Sequence, residues 1–356
     1  MEHIQETSHS SSSNTRQTIS QDVTRPLPSR SNQEGARKKS VVLQVFETYV
    51  DKFMYSLYIL VGLGLNGTLL CMFARHKELR TTANVMILNL SICDVLNLSI
   101  SGPLHFPSFY KTQNDIKVIN CRCYLAIRQF FRAADAFSLL GLNIQRFCIT
   151  VPRFQRYNNS TLCLCTSVLI IYVLALSVAL PSVLVWEVYS HLCSSNPDGS
   201  QANLMLLLHF VIYCLVLAPL MFLFSCLTAF RLKKSIRLIP GEMQHSIQEQ
   251  MRNRSAKVLI ILSVLFVICY YPYELWNVIV FFTVADKKDD VVALTLIFSK
   301  YFLFSNACFN PVALFVVSGK FRKLFKQYWC CFRPVLTRNM SGNSAQVTVS
   351  SHLSSK

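Results

Sequence analysis

The sequence predicts an all-α membrane protein, a seven-transmembrane helix bundle followed by a short amphipathic eighth helix. Three observations carry that expectation. Of 356 residues, 52% are hydrophobic and only 15% are charged, whereas a soluble globular domain is about 25% charged. Seven apolar stretches are long enough to cross a bilayer, roughly residues 53–74, 83–106, 121–150, 161–185, 203–230, 256–283 and 290–316. Basic residues then gather in alternate connections between these stretches.

Arg75, Lys77 and Arg80 follow the first span, and Arg146, Arg153 and Arg156 end or follow the third. Seven basic residues lie between Arg231 and Lys257, and seven more after Val317. The opposite connections hold only Lys111, Lys117, Arg122, Lys287 and Lys288. This bias places the basic connections in the cytoplasm and the N-terminus outside, as in a multi-pass plasma-membrane protein. The net charge of +17 then belongs to an inner face beside anionic membrane lipid, and nucleic acid is not expected as a partner. No basic-then-apolar segment with a cleavage site precedes the first span, so no signal peptide is expected. Residues 1–52 form an extracellular tail, 53–330 the membrane domain with its surface helix, and 331–356 a Ser/Thr-rich cytoplasmic tail. The first 40 residues are rich in Ser, Thr, Gln and Arg and poor in aromatics, a composition expected to be disordered.

The third span organises the rest. From Cys121 to Arg146 a helix rises ~1.5 Å per residue, roughly 37 Å in all, the depth of a bilayer with its interfaces. Arg128, Arg132 and Asp135 follow at offsets of four and three and so share one side of that helix. Charges facing lipid are costly, so this side must face protein or water. The third span is therefore expected to be the central post.

The other spans carry isolated polar residues and prolines. The first has Asn66 within GLGLNG, and the second has Asp94 within NLSICD, followed by Pro103. Pro181, Pro219, Pro272 and Pro311 interrupt spans four to seven. Each proline frees a carbonyl that a neighbouring chain has to satisfy. The stretch SGKFRKLFKQYWCC has apolar residues at helical spacing with basic residues opposite, as in a helix lying on the inner surface. Cys330 and Cys331 at its end read as palmitoylation sites. Most of the fourteen cysteines lie in spans and read as small apolar side chains. Cys121, Cys123 and Cys193 fall outside, where oxidation is allowed, and either of the first two can bridge to the third. No nucleophile–base pair, metal-ligand spacing or phosphate loop is found, so an enzyme is not expected.

This ordered set resembles the rhodopsin-like (class A) G-protein-coupled receptors. The matching positions are Asn66, Asp94, Cys121, Arg146, Cys193, Pro219, Phe266 with CYYP ending at Pro272, and Asn310–Pro311. They cover about residues 50–332. NPVALFVVSGKFRKLFKQYWCC further resembles the bombesin/endothelin-type neuropeptide receptors. The resemblance implies an extracellular peptide ligand, a heterotrimeric G protein, and arrestin and receptor kinase as partners. It also implies a Cys121–Cys193 disulfide, and an allosteric sodium ion among Asp94, Asp135, Asn306 and Asn310. Oxygen ligands suit such a hard cation. The alternative is an ion pair between Asp135 and Arg132.

The outer cleft is expected to hold the peptide on His105, Arg128, Gln129, Arg132, Tyr270, Tyr273, Glu274, Asn277 and Lys300. This is a polar, mixed-charge lining with aromatic walls. An Arg128–Glu274 salt bridge without ligand contact is the plainer reading of that pair. At the inner face, Gln145, Arg146 and Phe147 stand where the family has an acidic residue, an arginine and a tyrosine. Arg146 is expected to receive the G protein when span six swings on Pro272, with Phe266 below Tyr270 as the packing switch and Pro311 in span seven. Gln145 cannot form the family's ion pair, and Leu227 stands where many members have tyrosine. Those departures keep open a seven-helix receptor that binds arrestin or scavenges ligand without G-protein coupling. A transporter using the same intramembrane charges predicts inverted repeats, which the sequence lacks.

Overall fold

The computed structural model describes residues 41–102, 116–151, 153–154, 160–189, 192–195, 200–236, 242–283 and 290–329. His105, Pro103, Cys330, Cys331, the first 40 residues and the tail beyond Trp329 lie outside this set. The side chains of Cys121 and Cys193 lie outside it as well.

The described residues include the helices α1 Val41–Arg75, α2 Val85–Ser101, α3 Ile116–Thr150, α4 Thr161–Val185, α5 from Ser200 to Ile236, α6 Glu242–Phe282 and α7 Asp290–Val317. Helices α1, α4, α5, α6 and α7 are long and apolar enough to cross a membrane. The other two differ for visible reasons, α2 because it is short and α3 because it carries the interior charges. An eighth helix, α8 Gly319–Trp329, follows one residue after α7. One feature departs from the all-helical expectation. Strands β1 Trp186–Tyr189 and β2 Leu192–Ser195 form an antiparallel hairpin, with Val188 opposite Cys193. This hairpin packs on α3.

Helix α1 packs on α2 and α7, α6 on α5 and α7, while α3 touches α2, α4, α5 and α6. The charged helix is thus the central post, because only there do its buried charges meet protein on all sides. Leu139, Leu142, Phe266, Tyr270, Tyr213 and Leu217 fill the core around it. Gly62 of α1 brings that helix against α2. A Cβ at this position would stand 2.4 Å from Leu98 Cδ1, whose side chain is itself fully buried.

The prolines are accommodated by specific donors. Pro311 has no N–H for the carbonyl of Ala307, four residues earlier, and Asn66 Nδ2 donates to that carbonyl at 2.7 Å. In α5 the turn widens to i→i+5 over Val211–Leu217, so Ala218 N–H reaches Tyr213 O. The next bond of that series would run from Pro219 to Cys214 O, and Pro219 has no hydrogen to give. The Tyr271 hydroxyl donates to Cys214 O instead, at 2.6 Å. A second widened turn, Asn97–Ser101, directly precedes Gly102 and Pro103.

These donors are expected to be needed for stability. Asn66→Ala and Tyr271→Phe each orphan a buried carbonyl, costing about 1–3 kcal/mol. Thermal unfolding of the purified protein in detergent should show a lower midpoint for both. Midpoints equal to the parent's would refute this account of the prolines.

Candidate functional site

Arg132 and Glu274 form the outermost layer of the buried polar core. Arg132 Nη1 lies 3.0 Å from Glu274 Oε1, with side chains 7% and 2% exposed. The sequence offered Glu274 to Arg128, and Arg132 to Asp135, as alternatives; the structure puts Arg132 on Glu274. Arg132, one turn deeper than Arg128, is level with Glu274, which sits just beyond Pro272 in α6. The guanidinium is also covered by rings, 4.9 Å from the centre of Tyr213 and 5.7 Å from that of Tyr273. Cation–π contact and the ion pair together replace the water that Arg132 loses on burial. Arg128 is half-buried and acts on the same Glu274 carboxylate.

Gln129 Nε2 lies 3.4 Å from the ring nitrogens of His209, which is buried on α5. His209 and Tyr213 were missed by sequence reasoning. They stand four residues apart in an apolar span, and that helical spacing of polar tips was the available signal. Asn277 turns its amide back onto Tyr273 O at 2.6 Å. Lys300 is half-buried on α7 and takes no ion-pair partner among the described residues. The structure therefore brings Arg128, Gln129, Arg132, Tyr270, Tyr273 and Glu274 together on α3 and α6, while Lys300 stands apart on α7.

The next layer is built on Asp135. Its Oδ2 accepts from Tyr270 Oη at 2.9 Å and from Asn306 Nδ2 at 2.6 Å. Asn310 Nδ2 is shared between Asp135 Oδ1 at 3.4 Å and Asp94 Oδ2 at 3.3 Å. The four core residues of the sequence expectation thus converge. Three oxygens in this layer, Asp94 Oδ1, Asn306 Oδ1 and Asn310 Oδ1, are buried with no hydrogen-bond donor. A cavity of about 20 Å³, lined by Asp94, Asn97, Arg128, Arg132, Asp135 and Asn306 among others, lies beside them. Tyr270 continues the path downward, stacking on Phe266 with centroids 4.3 Å apart.

At the inner end, Arg146 faces a cavity of about 490 Å³ lined by Ile87, Leu142, Leu259, Leu314 and Lys323 among others. Asn84 Oδ1 accepts from Arg146 Nη2 at 3.3 Å, and Gln145 Nε2 donates to Thr82 O at 2.7 Å. Phe147 packs on Phe224, with centroids 5.6 Å apart. Ser225 of α5 donates to Asn143 Oδ1 of α3 at 2.6 Å and lies 3.0 Å from Ser263 of α6. This buried trio was also missed, although each member is a small polar residue alone in the inner third of a span. In the α2–α4 contact, Tyr172 donates to Asn89 Oδ1 at 2.9 Å and Asn89 Nδ2 donates to Ser138 at 2.7 Å.

Seven helices around a charged post, with an aromatic-walled polar core and an inward-facing arginine, define a seven-helix membrane receptor. The sequence matches the 7 transmembrane receptor (rhodopsin family) over residues 65–313, and the chain belongs to that family. It is therefore a multi-pass plasma-membrane protein. It is 27% identical over 306 residues to the neuropeptide CCHamide-1 receptor of Drosophila melanogaster, covering 80% of this chain and 61% of that protein. It is 28% identical over 295 residues to bombesin receptor subtype-3 of Ovis aries, covering 78% and 74% respectively.

The ion pair is expected to be indispensable as a pair. Glu274→Leu leaves a buried guanidinium uncompensated, at about 3–5 kcal/mol, and should lower the amount reaching the cell surface. Arg132→Met combined with Glu274→Leu should restore much of it. Flow cytometry of tagged receptor reads both, and a double variant no better than the single one would contradict the pairing.

Proposed function

We propose that this chain is a cell-surface receptor for an extracellular neuropeptide and that it activates heterotrimeric G proteins. The observation that carries the reading is one connected path through the bundle. It runs from the Arg132–Glu274 pair to Tyr213 and Tyr270, then to Phe266, and ends above a cavity into which Arg146 faces. Both relatives are receptors, and the name of the first states a neuropeptide, which supports a peptide as ligand.

Glu274, Tyr270 and Phe266 all lie on α6, on either side of Pro272. A peptide that binds better when Glu274 is displaced pulls the outer arm of α6 and pivots its inner arm away from α3. Ligand can drive this only by its differential affinity for the open arrangement. Opening breaks Ser225–Ser263 and widens the Arg146 cavity to admit a helix of the G protein. The closed arrangement is held by neutral hydrogen bonds, each worth about 0.5–1.5 kcal/mol, where an acidic residue at Gln145 would have added an ion pair.

The same reading includes the sodium ion that the family resemblance implies among Asp94, Asp135, Asn306 and Asn310, three of which have a side-chain oxygen without a donor. It includes a Cys121–Cys193 disulfide, which agrees with the hairpin carrying Cys193 packing on α3. It also includes lipid on Cys330 and Cys331, and kinase and arrestin acting on the Ser/Thr-rich tail. A second reading, a receptor that does not activate G proteins, is favoured by one observation. Leu227 is 36% exposed and apolar, so it supplies no hydroxyl toward Arg146.

Nucleotide exchange on purified G protein separates the two readings. Under the first, membranes containing this chain accelerate exchange when the peptide named for the first relative, or another secreted neuropeptide, is added. Arg146→Ala should remove that acceleration while leaving peptide binding within about threefold. Asn143→Ala, which removes one latch bond, should raise peptide-independent exchange about fivefold. Peptide binding without exchange in the parent protein would favour the second reading.

A further inference from the structure

We propose that the inner cavity at Arg146 binds a long-chain fatty acid of the cytoplasmic leaflet, its carboxylate on Arg146 and its chain between α3, α6 and α7. This occupant belongs to the arrangement in which α6 is held against α3 and α5, before any G protein enters. Its binding stands on the cavity alone, while its effect on signalling rests on the receptor reading above.

The cavity is basic at one end. Among the described lining residues the charged side chains are Arg146, Lys320 and Lys323. Glu78 stands at the rim, with Oε2 3.6 Å from Lys320 Nζ, but the two side chains are 84% and 54% exposed, and such a pair is held weakly. Arg146 has a glutamine, not a carboxylate, beside it in the chain, and Nη2 makes a long 3.3 Å hydrogen bond to Asn84 Oδ1. A half-buried guanidinium held by one neutral acceptor favours a carboxylate, whose two oxygens match its fork of N–H groups. The first turn of α8 lines the same end, and its partial positive charge adds to that of the side chains.

The other end is apolar. Leu142 lies one turn, ~6 Å, farther into the membrane than Arg146, and Leu259 of α6 and Leu314 of α7 complete the wall there. The cavity is thus cationic toward the cytoplasm and apolar toward the mid-plane, the polarity of a fatty acid standing in the inner leaflet. Its volume of about 490 Å³ lies within the range of small-molecule pockets, roughly 300–1,000 Å³. A helix, about 10–12 Å across, would enter that space by only about one turn. An acyl chain is slender enough, at about 4 Å across by the contact distance of carbon atoms. Glu78 offsets part of the basic charge at the rim, so a carboxylate matches it better than a phosphate carrying about −1.5 to −2. Seated there, the chain packs on Leu142 and Leu259, holds α6 against α3 and covers Arg146.

The test needs no peptide or G protein, so its failure leaves the receptor reading standing. Purified full-length protein in phosphatidylcholine nanodiscs is irradiated with an oleate analogue carrying a diazirine in mid-chain, and mass spectrometry locates the label. The label is expected on the segments around Leu142, Leu259 and Leu314, with lipid-facing Leu169 as the internal reference for non-specific labelling. Unlabelled oleate should remove the cavity label, whereas oleyl alcohol, with the same chain and no charge, should not. Relative to the reference, Arg146→Gln should lower the cavity label roughly tenfold and Lys323→Gln, at an exposed position, about threefold. Label confined to lipid-facing residues overturns the proposal. So does oleyl alcohol competing as well as oleate, or cavity label unchanged in either variant. Lysophosphatidate displacing the label better than oleate at equal concentration overturns the choice of a carboxylate.

Discussion

The interior of this receptor depends on one buried ion pair. Arg132 and Glu274 sit where water cannot reach, and neither charge would be tolerated alone. Placing the arginine on the central post and the carboxylate just beyond the proline of α6 fixes the height of α6 against α3. Tyr213 and Tyr273 complete the enclosure by covering the guanidinium with ring faces.

A second constraint comes from the backbone. In lipid every exposed carbonyl must find a donor inside the protein. For Pro219 and Pro311 side chains from other helices meet that need, Tyr271 for Cys214 O and Asn66 for Ala307 O. These bonds tie α5 to α6 and α7 to α1.

The inner half follows a different rule. Arg146, which lacks an acidic neighbour, is held by the Asn84 side chain, and Gln145 turns to a backbone carbonyl. The Asn143–Ser225–Ser263 trio ties α3, α5 and α6 with neutral bonds. Strong electrostatics thus sit in the outer half and weak, reversible bonds at the inner end.

Much of this was legible along the chain, because it depends on local or statistical physics. Span lengths, the inward bias of Lys and Arg, and the shared face of Arg128, Arg132 and Asp135 follow from hydrophobicity and a 3.6-residue period. So does the amphipathic α8, found at Gly319–Trp329. The β-hairpin was not foreseen, since two four-residue strands in a connection leave little pattern to read. Partner choice was not legible either. Glu274 had two arginines one helical turn apart to choose from, and only the height and rotation of α6 against α3 gave it Arg132. Likewise His209, Tyr213 and the inner polar trio gain meaning only when helices distant in sequence bring their polar tips together. The sequence by itself determined which segments cross the membrane and which faces cannot meet lipid. Tertiary packing alone decided which buried charge meets which, because that depends on a few ångströms of slide between helices that no one-dimensional period encodes.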